Sequence, residues 1–166
     1  MVTIKYQSPI GNIFISADNE FVTQLYFEGG VTTPPSLHET NSGESTTRHL
    51  GLDPGSPLLT ATKELDAYFA GTLKNFTVPL KLDGTPFRQQ VWKALQAIPY
   101  GETISYKELA RRIDNPAAIR AVGGANHHNP ISIFVPCHRV VGASGKLTGY
   151  GGGLHVKEYL LKLEKR

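Results

Sequence analysis

Ile131-Ser132-Ile133-Phe134-Val135-Pro136-Cys137-His138-Arg139-Val140 is an apolar run that carries the only cysteine of the chain beside a histidine. Ile131, Ile133 and Val135 are β-branched and Phe134 is aromatic, so the pattern predicts a short strand over 131–135 packed on both faces. Pro136 lacks a backbone donor and stops the pairing. Cys137 is then expected just past a strand end, where a scaffold holds a side chain rigidly yet leaves it reachable. A lone cysteine is also commonly a small buried hydrophobe, and a Cys-His pair alone does not separate the two readings.

The flanks of this run carry their own signals. Downstream, Val140 to Gly153 is dense in glycine but lacks the G-K-[ST] ending of a phosphate loop; its glycines permit tight turns and expose backbone N–H groups. Leu154 to Arg166 reads as a closing helix with Leu160, Leu161 and Leu163 inward and Glu164 near its end. Upstream, Thr85 is an N-cap with Pro86 at the first helical position, and Phe87, Val91, Trp92 and Leu95 form one apolar face. Ser105-Tyr106-Lys107-Glu108 is a capping box that starts a second helix reaching Ile113. Asp114-Asn115-Pro116 breaks it, and a third helix is expected from Pro116 to about Ala125, with Ile119 and Val122 toward the core and Arg120 off that face. Two short helices across a tight turn make a helix-turn-helix candidate. The small residues of the third helix let its backbone approach another body closely, either a neighbouring helix or the walls of a nucleic-acid groove.

The N-terminal half differs in texture. Residues 2–7, 13–17 and 21–27 are strand-like, with a turn at Ser8-Pro9-Ile10-Gly11-Asn12, and together suggest a half-buried antiparallel meander. From about 28 to 56 the chain is rich in Gly, Thr, Pro and Ser and reads as a long loop; His38 and His49 lie there without companions at metal-ligand spacing. Leu58 to Ala70 has helical apolar spacing ended by Gly71, and Phe76 to Leu80 is a short extended piece in which Pro79 favours an edge. The expected fold class is α+β: an N-terminal antiparallel sheet with a helix in 1–82, and a mainly helical domain with the helix-turn-helix and Cys137 in 83–166.

Composition limits the function. The chain has 166 residues, 40% of them hydrophobic, and a net charge of +3, a mild basic excess that permits nucleic-acid binding without demanding it. One cysteine excludes an internal disulfide and a multi-cysteine zinc site, and suits a reducing compartment. No stretch approaches about 20 consecutive apolar residues, and Met-Val-Thr-Ile-Lys-Tyr resembles neither a secretory signal nor a transit peptide. A soluble, cytoplasmic protein is expected.

From Gly84 to Glu164 the sequence resembles the O6-alkylguanine-DNA alkyltransferases. The matching pieces are Phe87-Arg88-Gln89-Gln90-Val91-Trp92, Ile98-Pro99-Tyr100-Gly101-Glu102-Thr103, Ser105-Tyr106, Arg120-Ala121-Val122-Gly123, Asn129-Pro130, Pro136-Cys137-His138-Arg139-Val140 and Gly149-Tyr150-Gly151-Gly152-Gly153, in the family's order. The N-terminal half resembles the family's ribonuclease H-like variable domain only loosely. The resemblance implies Cys137 as alkyl acceptor, His138 as its base through a water, and Glu164 as the partner of His138. It implies that Asn129 ties the recognition helix to the active-site strand, that Tyr106 assists the leaving guanine, and that Arg120 fills the gap left by a flipped nucleotide. Ala121, Gly124, Ala125 and Asn126 would join Arg120 and Tyr106 at DNA, from the minor-groove side. Tyr150, Gly151, Val140 and Ser132 would line the base pocket, with Ser132 and Thr148 affecting substrate range. Carbonyls of Cys137 and Val140 would accept from the guanine amino group. The implied partner is double-stranded DNA carrying O6-alkylguanine and also O4-alkylthymine, attacked by a monomer with no metal, cofactor, membrane or obligatory protein partner.

The physics of that reaction fits these residue types. A thiolate displaces guanine from an alkyl carbon, the leaving oxyanion needs a proton or hydrogen bond, and base flipping costs a few kcal/mol. The thioether product is not hydrolysed under mild conditions, so one alkyl group per molecule is expected. His127-His128 departs from the family pattern and would make phosphate contacts depend on pH, and no four-cysteine N-terminal module is present. Two rival readings remain: a thiol hydrolase using Cys137, His138 and Glu164, and a non-catalytic lesion-binding module, whose known examples lack the acceptor cysteine.

Overall fold

The computed structural model describes residues 1–30 and 52–166 and divides into two compact units, Met1–Lys81 and Leu82–Arg166. His38, His49 and most of the expected 28–56 loop lie outside the described residues.

In the first unit, β1 (Val2–Ser8), β2 (Gly11–Ala17) and β3 (Val22–Phe27) form an antiparallel sheet in the order β1-β2-β3. Its register stacks like with like: Tyr6 faces Ile13, which faces Phe27, and Ile4 faces Ile15, which faces Leu25. Tyr6, Ile13, Ile15, Leu25 and Phe27 are buried, as the period of two requires when one sheet face meets a core. That face is covered by α1 (Pro57–Phe69), capped by the Ser56 hydroxyl and burying Leu58, Ala61, Leu65 and Tyr68. Tyr6 donates to Asp66 of this helix at 2.7 Å. Leu80 bridges to Val22 beside β3, an edge position that tolerates Pro79.

The second unit begins with α2 (Pro86–Gln96), where the Thr85 hydroxyl accepts from Arg88 N–H and Pro86 opens the helix. Val91, Trp92 and Leu95 are buried, and Trp92 Nε1 donates to the Ala125 carbonyl at 2.8 Å. Gly101, at φ +80°, makes the tight turn that follows; a Cβ there would lie 3.0 Å from the Glu164 carbonyl oxygen. The short β4 (Ile104–Ser105) then leads into α3 (Tyr106–Arg112), capped by the Ser105 hydroxyl. Glu108 does not complete the reciprocal half of the box. Its carboxylate pairs instead with Arg111 and Arg112.

The third helix, α4, spans Ile119–His127 and starts later than the sequence suggests. Asp114 is left-handed at φ +57° and Ala118 N–H closes a turn on the Asn115 carbonyl, so Pro116 and Ala117 belong to the turn. This shift turns Ile119 outward, 41% exposed, while Val122 is fully buried. Residues 131–135 do not form the expected strand either. Ile133 adopts φ +74° and reverses the chain, with Val135 N–H returning to the Ile131 carbonyl and Ser132 bridging Val135. A β-branched residue there is strained by about 1–3 kcal/mol, a cost offset by its complete burial and by the Asn129 bonds described below. Cys137–Arg139 is a turn of 3₁₀ helix leading into β5 (Val140–Val141), which pairs parallel with β4, Ile104 to Val140 and Ser105 to Val141. The chain closes with α5 (Leu154–Glu164), whose Leu160 and Leu163 are buried and whose Leu161 is only half-buried rather than inward.

Candidate active site

The imidazole and the carboxylate converge, on the residue after the one that carries the sulfur, because two local structures meet. The 3₁₀ turn presents Cys137 and His138 on consecutive residues, and α5 delivers Glu164 from its last turn. His138 Nε2 donates to both Glu164 oxygens at 3.0 and 3.1 Å, and both side chains are shielded from solvent. The same carboxylate accepts from Arg139 Nε at 2.9 Å and Nη2 at 2.5 Å, while Arg139 Nη1 donates to the Ile98 carbonyl at 2.7 Å. The guanidinium also lies over the Tyr100 ring, 5.7 Å from its centroid. Burial disfavours charge on Glu164, but bonds from His138 and Arg139 outweigh it and hold the carboxyl below its usual range. Burial pushes His138 below its ordinary value despite the carboxylate. The ion pair is therefore Arg139–Glu164, and His138 is a neutral donor to it.

This arrangement fixes the tautomer. Nε2 carries the proton toward Glu164, so Nδ1 is left as a basic lone pair, and it is buried with no hydrogen-bond partner among the described residues. Cys137, 4% exposed, sits on the adjacent residue. Burial pushes its thiol up, opposed by hydrogen bonds from Asn129 and Ser132 and by the positive charge of Lys157. The Ser132 hydroxyl lies 3.9 Å from the sulfur.

Asn129 stands at the junction of α4 and the tight turn. Its Nδ2 donates to the Val135 carbonyl at 2.8 Å and its Oδ1 accepts from Ile131 N–H at 3.0 Å, satisfying main-chain groups that would otherwise be orphaned in the interior. Tyr106 reaches the site through the β4–β5 pairing, and its hydroxyl shares a 2.8 Å hydrogen bond with the Thr148 hydroxyl. Thr148 is held in turn by Lys157, whose Nζ donates to its carbonyl at 3.2 Å. Val140 and Tyr150 are buried and Gly151 is half-buried.

Two residues of this site were missed by sequence reasoning. Arg139 enters the sequence pattern only as part of Pro-Cys-His-Arg-Val, yet it shares the carboxylate with His138. Lys157, fully buried, is the cation facing Cys137, and burial lowers its own pKa. The signal for it exists: Lys157, Leu160 and Glu164 recur at helical spacing on the inward face of α5.

The α4 surface divides sharply. Arg120, Ala121, Gly124, His127 and His128 are exposed, with a His128 ring nitrogen 2.7 Å from the Gly124 carbonyl. Ala125 and Asn126, expected among the DNA contacts, are on the inner face, 3% and 5% exposed. Helical periodicity turns them there beside Val122, and Asn126 points at the Cys137 carbonyl. Among the described residues no group of three or more His, Cys, Asp or Glu side chains could hold a metal ion, and no helix is long and apolar enough to cross a membrane.

Comparison with known proteins places this geometry in context. Residues 86–166 match the family model described as 6-O-methylguanine DNA methyltransferase, DNA binding domain, and residues 1–82 match the model for its ribonuclease-like domain. A methylated-DNA–protein-cysteine methyltransferase of Methanosarcina acetivorans is 49% identical over 162 residues, covering 96% of this chain and 95% of the relative. One from Mycobacterium bovis is 51% identical over 158 residues, covering 95% and 88%. A crystal structure of Mycobacterium tuberculosis OGT in complex with DNA superposes with a TM-score of 0.80 at 49% identity, covering 97% of this chain and 91% of that one.

Proposed function

Because the chain belongs to the 6-O-methylguanine DNA methyltransferase family, we propose that it repairs DNA by direct reversal, moving the alkyl group of O6-alkylguanine onto its own Cys137. The single observation that carries the residue assignment is the orphaned, buried Nδ1 of His138, on the residue that follows the only cysteine. A buried base lone pair that no protein group among the described residues satisfies costs stability, and its use is to receive a proton.

In this reading His138 Nδ1 takes the Cys137 proton through a water, and the imidazolium that forms is stabilised by Glu164. Asn129, Ser132 and Lys157 favour the developing thiolate. The sulfur then forms its bond to the alkyl carbon as the carbon–O6 bond breaks, and the electron pair leaves on guanine. Tyr106, released from Thr148, donates a hydrogen bond to the departing base. Arg120 fills the stack from the minor-groove side, with Ala121 and Gly124 allowing the backbone of α4 close to the sugar-phosphate walls. Tyr150, Gly151, Val140 and Ser132 enclose the extrahelical base. Residues 83–166 would carry the whole reaction, with 1–82 as a separate domain. The protein would act as a monomer in the cytoplasm, where the thiol stays reduced, and would accept O4-alkylthymine as a second lesion.

The product is a thioether, and no second cysteine is present to regenerate the thiol. Mass spectrometry after incubation with duplex containing O6-methylguanine tests the proposal. One methyl on Cys137 per molecule, absent in Cys137→Ser, is expected; an unmodified Cys137 or turnover beyond one equivalent overturns it.

A further inference from the structure

Asn126 is buried at the inner face of α4, and only half of its amide is used. Nδ2 points at the Cys137 carbonyl oxygen at 3.5 Å, the long limit of a hydrogen bond, while Oδ1 has no partner among the described residues. The orientation follows from chemistry, since the flipped amide would set two acceptors against each other. The Cys137 carbonyl also accepts from Val140 N–H, closing the 3₁₀ turn. The orphan acceptor therefore belongs to a side chain fastened to the backbone of the residue that carries the reacting sulfur.

Buried acceptors without donors are uncommon, and each needs an explanation. The substrate supplies one. In O6-alkylguanine the oxygen is alkylated and N1 carries no proton, so the base presents several acceptors but a single donor group, the 2-amino group. We propose that Asn126 is a specificity-determining residue whose Oδ1 accepts from the 2-amino group of the flipped guanine. That group has two N–H bonds; because the Cys137 carbonyl already accepts from Asn126 Nδ2 and Val140 N–H, one N–H meets Asn126 and the other the Val140 carbonyl, in place of the pair of carbonyls that the resemblance implies. An apolar side chain at this position would enclose the base but could not distinguish it from one lacking the amine. O4-alkylthymine, which has no N–H at all, leaves Oδ1 unpaired and gains nothing from Asn126.

The inference rests on the alkyl-transfer reading, and the test separates the two. Duplexes carrying O6-methylguanine and O6-methylhypoxanthine, which differ only in the 2-amino group, compete in one vessel for a limiting amount of protein, and methyl transfer from each to Cys137 is counted. The ratio cancels any loss of folded protein. Wild type is expected to favour the guanine lesion by at least about five- to tenfold, since the amine makes two hydrogen bonds and each supplies about two- to tenfold. Asn126→Leu should shrink that ratio at least threefold, and Asn126→Ser should do the same if the leucine variant does not fold. Reaction with O4-methylthymine should be insensitive to Asn126→Ser relative to the hypoxanthine lesion. An unchanged guanine-to-hypoxanthine ratio in Asn126→Leu or Asn126→Ser overturns the role of Asn126. Absence of methyl on wild-type Cys137 overturns the alkyl-transfer reading itself.

Discussion

Glu164→Gln is the substitution that most directly probes the site, because one buried carboxylate serves both stability and chemistry. Glutamine keeps the shape but removes the charge, leaving Arg139 buried with a neutral partner and, among the described residues, only the Ile98 carbonyl and the Tyr100 ring besides. Breaking a buried pair by removing one partner costs about 3–5 kcal/mol. For a unit of this size the lower figure corresponds to a fall in Tm of about 12–24 °C. The glutamine amide must also choose a side. If its oxygen faces Arg139, its NH2 faces His138 Nε2, which must then give up its proton and leave Nδ1 protonated. The base is lost, and methyl transfer is expected to slow by at least about 100-fold. Chemical denaturation and single-turnover transfer from O6-methylguanine duplex measure the two effects separately. The double variant Glu164→Gln/Arg139→Met removes both charges and should recover much of the stability without recovering the rate. Transfer by Glu164→Gln within a few-fold of wild type would refute the tautomer argument, and a double variant no more stable than the single would refute the buried-charge argument.

Other expectations follow from the same geometry. His138, pushed below its ordinary 6.5 chiefly by burial, contributes stability that is complete above pH 6.5 and is lost as pH falls through its lowered folded value. Cys137, pushed above 9.0 by burial, contributes stability that is complete below pH 9.0 and is lost as pH rises through its folded value. Denaturant melts across pH should therefore show a plateau between these limits with decline on both sides, and Cys137→Ser should flatten the alkaline decline; an unaltered alkaline limb would count against it. Lys157→Met removes a positive charge that lowers the Cys137 pKa, so the pH profile of thiol alkylation by iodoacetamide should move to higher pH, and no movement means the charge does not reach the sulfur. Trp92→Phe deprives the Ala125 carbonyl of its 2.8 Å donor and should destabilise the second unit by at least about 1–3 kcal/mol in chemical unfolding, whereas a neutral result would mean the carbonyl finds another donor. Methylation of Cys137 adds a carbon in a closed site beside Asn129 and Ser132, so the alkylated protein should melt lower by the equivalent of about 1–3 kcal/mol; an equal or higher melting temperature would contradict that packing.

What the sequence determined by itself are features whose physics spans a few residues. Thr85 with Pro86, and Ser105 with its helix, are legible because a cap is a bond between near neighbours. The β1-β2-β3 meander follows from a period of two and a Pro-Gly turn, and the identity of Cys137 and His138 from a motif of adjacent residues. Tertiary structure alone decided the rest. The 131–135 run is apolar because it is buried, and periodicity could not tell a strand from the left-handed turn at Ile133, which Asn129 holds from outside the run. Ile119 faces outward because a turn at 115–118 delays the helix by three residues and rotates its face. The sharing of Glu164 between His138 and Arg139, the cation at Lys157 and the unpaired oxygen of Asn126 were likewise invisible. They depend on where α4, α5 and the 3₁₀ turn come to rest in one low-dielectric interior, and there the balance of desolvation against pairing sets each group's charge.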